Sequence, residues 1–539
     1  VEAGKLDLDR DVNAYLDFRI PPRKGRPVTL RQIMTHTGGF EEVQKNIIFA
    51  DPKYQLSLEA YLKQWVPTRI FDAGTTPNYS NWATALAGYI VERVSGVPFD
   101  DYVEQRIFRP LDMRTASFRQ PLPPALRALT ATGYERASEP AQKFEIVGPA
   151  PAGSLSASGI DMAKFMIAHL ENGRGILRPE TAATMHDSPL DKVDPFSLMP
   201  PLNRMELGFF ETNANGREVI AHLGDTQFFH TSLHLFLAER VGLYVSFNSV
   251  GRDGAVGVLR GQLFQDFADR YFPSTVRDGR IDAKTAAEHA RLMTGHWEVS
   301  RRSVSNFVNI LNLVGQVHIT LDDKGGLVVP SLKGPGGAIR KWDEIAPFVW
   351  RERGGQERLA AKVVDGKVVR WSFDLVAPFM VWDRVPAWRS AGWLLPALYA
   401  SLAVLLLTFL YWPASWYVRR RYAQAIARSG PALKAYRATR IMALLVLLVL
   451  GGWAALISIV FGDISNLTAG TDIWLWLLQI LGAIVFFGAV GIAAWNAWLT
   501  WRDGRGWARR AWSLLVLLAT LVVLFAAWTY SLLAMTVNY

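Results

Sequence analysis

The stretch PNYSNWATALAGYIVERVSG, residues 77–96, places a phenol and an amide, Tyr79 and Asn81, directly ahead of an apolar helical stripe. Trp82, Leu86, Tyr89, Ile90 and Val94 recur at the spacing of one helix face, and Gly96 supplies the stop. A Tyr-x-Asn pair arises by chance about once in a chain of this length, so alone it reads as helix-start decoration. It gains chemistry only where other polar groups meet it. A tyrosine is a poor base, with an ordinary pKa of about 10. The functional reading needs it near a serine hydroxyl and a lysine amine, since a neighbouring ammonium favours the phenolate and the phenol then shuttles the serine proton to a leaving group. Asn81 in such a site donates to a substrate amide carbonyl.

Upstream, LRQIMTHTGGF (residues 30–40) reads as a helix closed by Gly38-Gly39, with His36 satisfied locally. Downstream, REVIAHLGDT and SLHLFLAERVGLYVSFNS read as strands, the second stretch folding back at a turn near 239–242. Within them HLGDT (222–226) has two readings. One is a strand edge with a tight turn. The other is an edge strand that pairs with an extended acyl substrate, where the Asp225 N–H faces a developing oxyanion and Gly224 permits close approach. Helix and strand mix over 1–275, whereas 278–388 reads as all β. QVHITL alternates, and LAAKVV and KVVRWSF flank Asp365-Gly366, a hairpin signal. A small antiparallel barrel or sandwich, lipocalin-like, is expected there, with His296 and His318 as ordinary strand histidines.

From 391 to the end the chain changes character. Four apolar runs, 393–418, 441–461, 474–501 and 511–537, hold no Asp, Glu, Lys, Arg or His, and each exceeds the ~20 residues a helix needs to cross a bilayer. A region of four transmembrane helices is expected over 391–539. The net charge of +10 is concentrated here: 11 cations against 3 acids lie beyond Ala391. The basic balance therefore reports on the membrane region and gives no reason to expect a nucleic-acid partner. Loop 419–440 carries seven cations and no acid, loop 461–472 two acids and no cation, and 502–510 is basic again. By the positive-inside rule the first and third loops are cytoplasmic, which puts the preceding 390 residues outside, in the periplasm of a bacterium. Spans without ionisable groups suit an anchor better than a transporter. The chain has no Cys, hence no disulfide and no thiol nucleophile.

The blocks GKLDLDRDVNAYL, VTLRQIMTHTGGF, PNYSNWATALAGYIVERVSG, IFRPLDMRTASF, PAGSLSASGIDMAKFM and HLGDTQFFHTSLHL follow one another over most of residues 1–248. In order and spacing they resemble the serine β-lactamase-related family of class C β-lactamases, penicillin-binding carboxypeptidases, esterases and D-amino peptidases. The β domain followed by membrane helices resembles the colibactin-maturing D-amino peptidase, which has three spans where four are counted here. The resemblance implies an α+β fold, an antiparallel sheet with a helical cluster. It implies that Tyr79 is the catalytic tyrosine, Asn81 its asparagine partner, and His222 the third-motif Lys or His. Gly224, Asp225 and Thr226 fall at the oxyanion and substrate-binding edge. Two departures stand out. Gln227-Phe228 follow Asp-Thr where the family often has Pro-Gly, and no Ser is followed by Lys three positions later.

The expectation is thus a membrane-anchored, periplasm-facing serine hydrolase, N-terminally incomplete, whose Ser-x-x-Lys segment lies ahead of Val1. As it stands the chain is expected to form no acyl-enzyme. No metal or organic cofactor is needed. The expected partners are a small-molecule or peptide acyl substrate and the lipid bilayer. The alternative class is a non-catalytic sensor or binding module that uses the same cleft.

Overall fold

Two helices frame the Tyr79 segment, α1 (Leu30–Met34) and α2 (Asn81–Ser95). The computed structural model describes residues 1–187, 199, 201–426 and 428–539. Helix α2 starts where the Ser80 hydroxyl accepts the Ala83 N–H at 3.2 Å, and it ends on Gly96 at φ 73°. Its stripe is the one the sequence spells: Trp82, Leu86, Tyr89 and Ile90 are buried, with Val94 packed at the margin. Burying Leu86 and Ile90 stabilises the fold by about 1.5–3 kcal/mol each. Helix α1 is shorter than expected. It is capped by a Thr29/Gln32 capping box and stops at Met34, before Gly38-Gly39, because His36 takes a left-handed φ of 50°.

The chain divides into two compact units, one of Val1–Arg302 with Val317–Arg384 and the other of Ser303–Gln316 with Val385–Tyr539. In the first, β1 (Phe210–Glu211), β2 (Val219–Asp225), β3 (His230–Phe236) and β4 (Val241–Phe247) form an antiparallel sheet in that order. Alternation gives the sheet two apolar faces. Ile220, Leu233 and Leu235 pack on Met166 of α3 (Gly159–Leu170), while Val219 and Phe236 pack on Ala268 of α4 (Ala255–Tyr271). This is an α+β layering, the antiparallel sheet with a helical cluster that the resemblance implies.

Helix α5 (Ala283–Met293) leads into a second sheet built from β5 (Gly295–Val299), β6 (Val317–Leu321), β7 (Leu327–Val328), β8 (Trp342–Ala346), β9 (Val349–Glu352), β10 (Arg358–Val364), β11 (Lys367–Phe373) and β12 (Trp382–Arg384). These eight strands run β8-β9-β10-β11-β12-β5-β6-β7, all antiparallel and nearly closed. The Asp365-Gly366 turn joins β10 to β11 with φ of 50° and 72°, as a two-residue hairpin of the primed kind demands. Four tryptophans, Trp297, Trp342, Trp350 and Trp371, fill the interior.

The second unit is a four-helix bundle: α6 (Ala391–Arg421), α7 (Gly430–Gly462), α8 (Asp472–Arg502) and α9 (Trp507–Thr529). Each helix packs on the next, and α9 packs back on α6. All four are long and apolar enough to cross a membrane. The last apolar run is not one helix. It turns at Ser531 and Met535, both at positive φ, and the tail returns to the bundle. There Gln479 bonds the Thr536 backbone both ways at 2.8 Å, and the Tyr539 hydroxyl donates to Thr468 O at 2.8 Å.

Candidate functional site

Main-chain hydrogen bonds to loops on either side pin Tyr79 in place. Asn78 N–H donates to His36 O at 2.7 Å and its side-chain amide to Phe40 O at 2.8 Å. From the β11–β12 connection, the Phe379 carbonyl accepts the Tyr79 N–H at 3.0 Å, and just past β5 Ser300 Oγ donates to Pro77 O at 2.5 Å. The close fit of the 36–40 loop explains Gly39. Its φ is 81°, and a Cβ there would lie 2.2 Å from Phe71 O.

The phenol ring is held by three neighbours. The His36 ring lies 4.1 Å away, the Phe379 ring meets it edge-on at 5.7 Å, and the Arg301 guanidinium stands 4.6 Å over its face. Arg301 is anchored in turn on Glu42, a buried carboxylate that accepts from its Nε at 2.6 Å and Nη2 at 3.3 Å. Burial raises the Tyr79 phenol above its ordinary value; Arg301 pulls it back down, while Glu42 and Asp225 push it further up. Burial, with His222 and Arg301 nearby, pushes His36 down to about 3, so its imidazole is neutral at any working pH. Asn81 is turned toward Glu42, its Nδ2 3.5 Å from Oε1.

His222 comes from β2. It shares a sheet face with Ile220, and its ring sits 5.6 Å from Phe210. Its surface is exposed, yet the surrounding protein still pushes the imidazole below the usual histidine range. Both hold for a side chain lining a recess. The strand then presents a backbone donor. Thr226 N–H bonds Phe229 O at 2.9 Å across the β2–β3 ladder, so by alternation the N–H of Asp225 turns to the opposite edge. On that edge β1 pairs with Ile220 and Ala221 and reaches no further. Gly224 is required here, since a Cβ would lie 2.6 Å from Thr231 Oγ1. The Asp225 side chain points elsewhere, to His230 at 2.8 Å and Arg260 at 2.9 Å. Burial opposes its charge, but those two partners outweigh it and hold the carboxyl below its usual range.

Tyr79 and His222 are linked by a string of rings, Phe379 against Tyr79 at 5.7 Å, Phe210 against Phe379 at 5.1 Å and His222 against Phe210 at 5.6 Å, and Asp225 follows His222 by three residues on the same strand. Thr226 is drawn aside. Its hydroxyl donates to Glu145 Oε2 at 2.5 Å, and the N–H groups of Gln227 and Phe228 bond the same carboxylate at 2.7 and 3.1 Å. That gives Gln227 a physical reason, because a proline there has no N–H to donate. Glu42, Glu145, Arg301 and Phe379 are absent from the sequence expectations. Among the described residues, no group of three or more His, Asp or Glu side chains is placed to hold a metal ion. The arrangement offers a phenol with a permanent cation on its face, a strand edge and an outward N–H.

Residues 1–264 match the family model described as Beta-lactamase. The Beta-lactamase of Yersinia enterocolitica is 25% identical over 171 residues, covering 32% of this chain and 42% of that protein. The D-alanyl-D-alanine-carboxypeptidase/endopeptidase AmpH of Escherichia coli (strain K12) is 27% identical over 176 residues, covering 32% of this chain and 44% of its own length. The chain thus spans less than half the length of these curated relatives. The solved structure of the octameric penicillin-binding protein homologue from Pyrococcus abyssi covers 71% of this chain and 84% of that one, at 17% identity and a TM-score of 0.37.

Proposed function

We propose, from the premise that residues 1–264 form a domain of the β-lactamase family, that this chain belongs to a membrane-anchored serine hydrolase working through an acyl-enzyme. The observation that supports the reading is the string of ring contacts from Tyr79 through Phe379 and Phe210 to His222, on the strand whose Asp225 N–H turns to the open edge. Tyr79 relays the proton between the serine nucleophile and the leaving group. An extended acyl substrate lies along β2, its carbonyl oxygen accepting from Asp225 N–H as negative charge develops. Asn81 donates to a substrate carbonyl once released from Glu42. Neutral His222 accepts or donates a hydrogen bond at the same edge without adding charge.

The reading needs a serine and a lysine in Ser-x-x-Lys spacing, which these 539 residues do not offer. It assigns them to sequence outside these residues. The hydrolase unit faces the periplasm of a bacterium, with the inner membrane as its anchor. The basic first and third loops and the acidic second loop of the bundle support that orientation. Candidate substrates are β-lactams, D-Ala peptides, esters and N-acyl-D-amino compounds.

A fluorescent penicillin or fluorophosphonate probe tests the reading. The 539-residue chain is expected to stay unlabelled, and a chain carrying Ser-x-x-Lys ahead of Val1 to label and to lose at least about a hundredfold in labelling rate on Tyr79→Phe. Labelling of the 539 residues overturns the assignment of the nucleophile. An extended chain that never labels favours a binding module that uses the same cleft.

A further inference from the structure

The loop end of the helix bundle gathers positive charge beyond what membrane orientation requires. Tyr436 on α7 is buried, and two guanidinia stack on its ring: Arg428 Cζ lies 3.8 Å from the centroid and Arg440 Cζ 3.4 Å. Arg505, from the α8–α9 connection, and Arg509, in the first turn of α9, lie within electrostatic reach of Arg428. The bundle's antiparallel order explains the meeting, because the α6–α7 and α8–α9 loops emerge at the same end.

Acidic partners do not match this set. Across 419–440 and 502–510 the one acid is Asp503, and it is taken by Arg502 and Arg505 at 3.2 Å each. Among the described residues no carboxylate stands within ion-pair distance of Arg428, Arg440 or Arg509. Arg440 is 8% exposed, and its Nη1 donates to Tyr436 O at 2.9 Å while its Nε finds no acceptor. The positive-inside rule accounts for the number of cations in these loops. It does not account for a guanidinium withdrawn from water without a counter-charge, which is costly unless an anion meets it. Burial and the neighbouring guanidinia push Arg428 down to about 10, as expected of cations crowded without an anion.

Depth identifies the class of anion. Arg440 immediately precedes the apolar run that begins at Ile441, so it sits where the hydrocarbon core gives way to headgroups. A planar guanidinium fork suits the paired oxygens of a phosphate. We propose that the α6–α7 and α8–α9 end of the bundle is a binding site for a phosphate-bearing anion, supplied by the bilayer as the headgroup of an anionic phospholipid. Arg428, Arg440 and Arg509 grip the phosphate oxygens, and Tyr436 holds the two stacked guanidinia apart from the core.

The full chain, purified in detergent or placed in nanodiscs, tests this. Native mass spectrometry is expected to show phosphatidylglycerol retained in preference to phosphatidylcholine, and nanodiscs containing phosphatidylglycerol to raise the thermal midpoint. Arg428→Gln and Arg440→Gln are each expected to weaken phosphatidylglycerol retention about tenfold. If Arg440→Gln does not fold, Arg509→Gln, at an exposed position in the first turn of α9, is read instead, with the same loss expected. A second arm adds inorganic phosphate, against chloride of equal ionic strength, to lipid-free protein. A midpoint rise there equal to that given by the lipid, with the same arginine dependence, overturns the lipid source. Equal retention of the two lipids, or variants that retain phosphatidylglycerol like the parent, overturns the site.

Discussion

Tyr79 stands between opposite charges delivered by distant parts of the chain. Arg301 stabilises the phenolate, so losing it raises the phenol further; Glu42 disfavours the phenolate, so losing it lowers the phenol. Arg301→Gln is therefore expected to move the Tyr79 titration to higher pH, and Glu42→Gln to move it to lower pH. Tyrosine-selective carbon NMR of the full chain, with the Tyr79 resonance assigned by Tyr79→Phe, reads both shifts without any need for turnover. Shifts in the same direction, or none, would show that the pair only packs against the ring. The sequence singles out Tyr79 and His222 because each sits in a short patterned block. Glu42 and Arg301 are not, because 259 positions separate them and neither stands in a pattern of its own. A charge pair of that range exists only once the eight-stranded sheet has been laid beside the Tyr79 loop. His36, read as locally satisfied, in fact shapes that loop, with its carbonyl holding Asn78 and its ring on the phenol.

At the scale of elements, what the sequence reveals depends on period and length. Helix α2 and strands β2, β3 and β4 are legible, because a 3.6 stripe or an alternating run repeats several times before it is punctuated. Helix α1 is not, because five residues give a stripe too short to show its end, and a left-handed histidine rather than a glycine ends the turn. The β2–β3 turn carries the same lesson. Gln227-Phe228 stand where the family often has Pro-Gly, and their N–H groups, with the Thr226 hydroxyl, converge on Glu145, which is 8% exposed. Three donors on one carboxylate make Glu145 the clamp that sets the ladder ending in Asp225. Glu145→Ala leaves those donors without their acceptor and is expected to cost about 2 kcal/mol or more, seen as a lower thermal midpoint of the full chain. Gln227→Pro removes a single donor and is expected to cost less. A Glu145→Ala chain as stable as its parent would mean that the turn holds its shape without the clamp.

For the whole molecule, the decisive arrangement is the even number of spans. Four helices return the chain to the side it started from, so the tail must end beside the α7–α8 loop. The Tyr539 hydroxyl does reach Thr468 in that loop, and the Tyr530 hydroxyl, just past α9, meets Arg389 just ahead of α6 at 2.7 Å. One end of the bundle thus carries both termini of the span region, and the other carries the arginine-rich loops. Charge decides which end faces the cytoplasm, since cationic loops resist translocation. A chain with no cysteine makes the test direct, because any introduced thiol is the sole target. Ser138→Cys in the first unit, Ala469→Cys in the α7–α8 loop and Ser429→Cys in the α6–α7 loop all stand at exposed positions. In whole cells with a permeabilised outer membrane, a membrane-impermeant maleimide is expected to label Cys variants at 138 and 469. The 429 variant should label only after the inner membrane is opened. Labelling at 429 without 138 inverts the orientation and removes the periplasmic assignment. Labelling at 138 and 429 together, with 469 protected, means that the first helix does not cross, and the anchor has three spans.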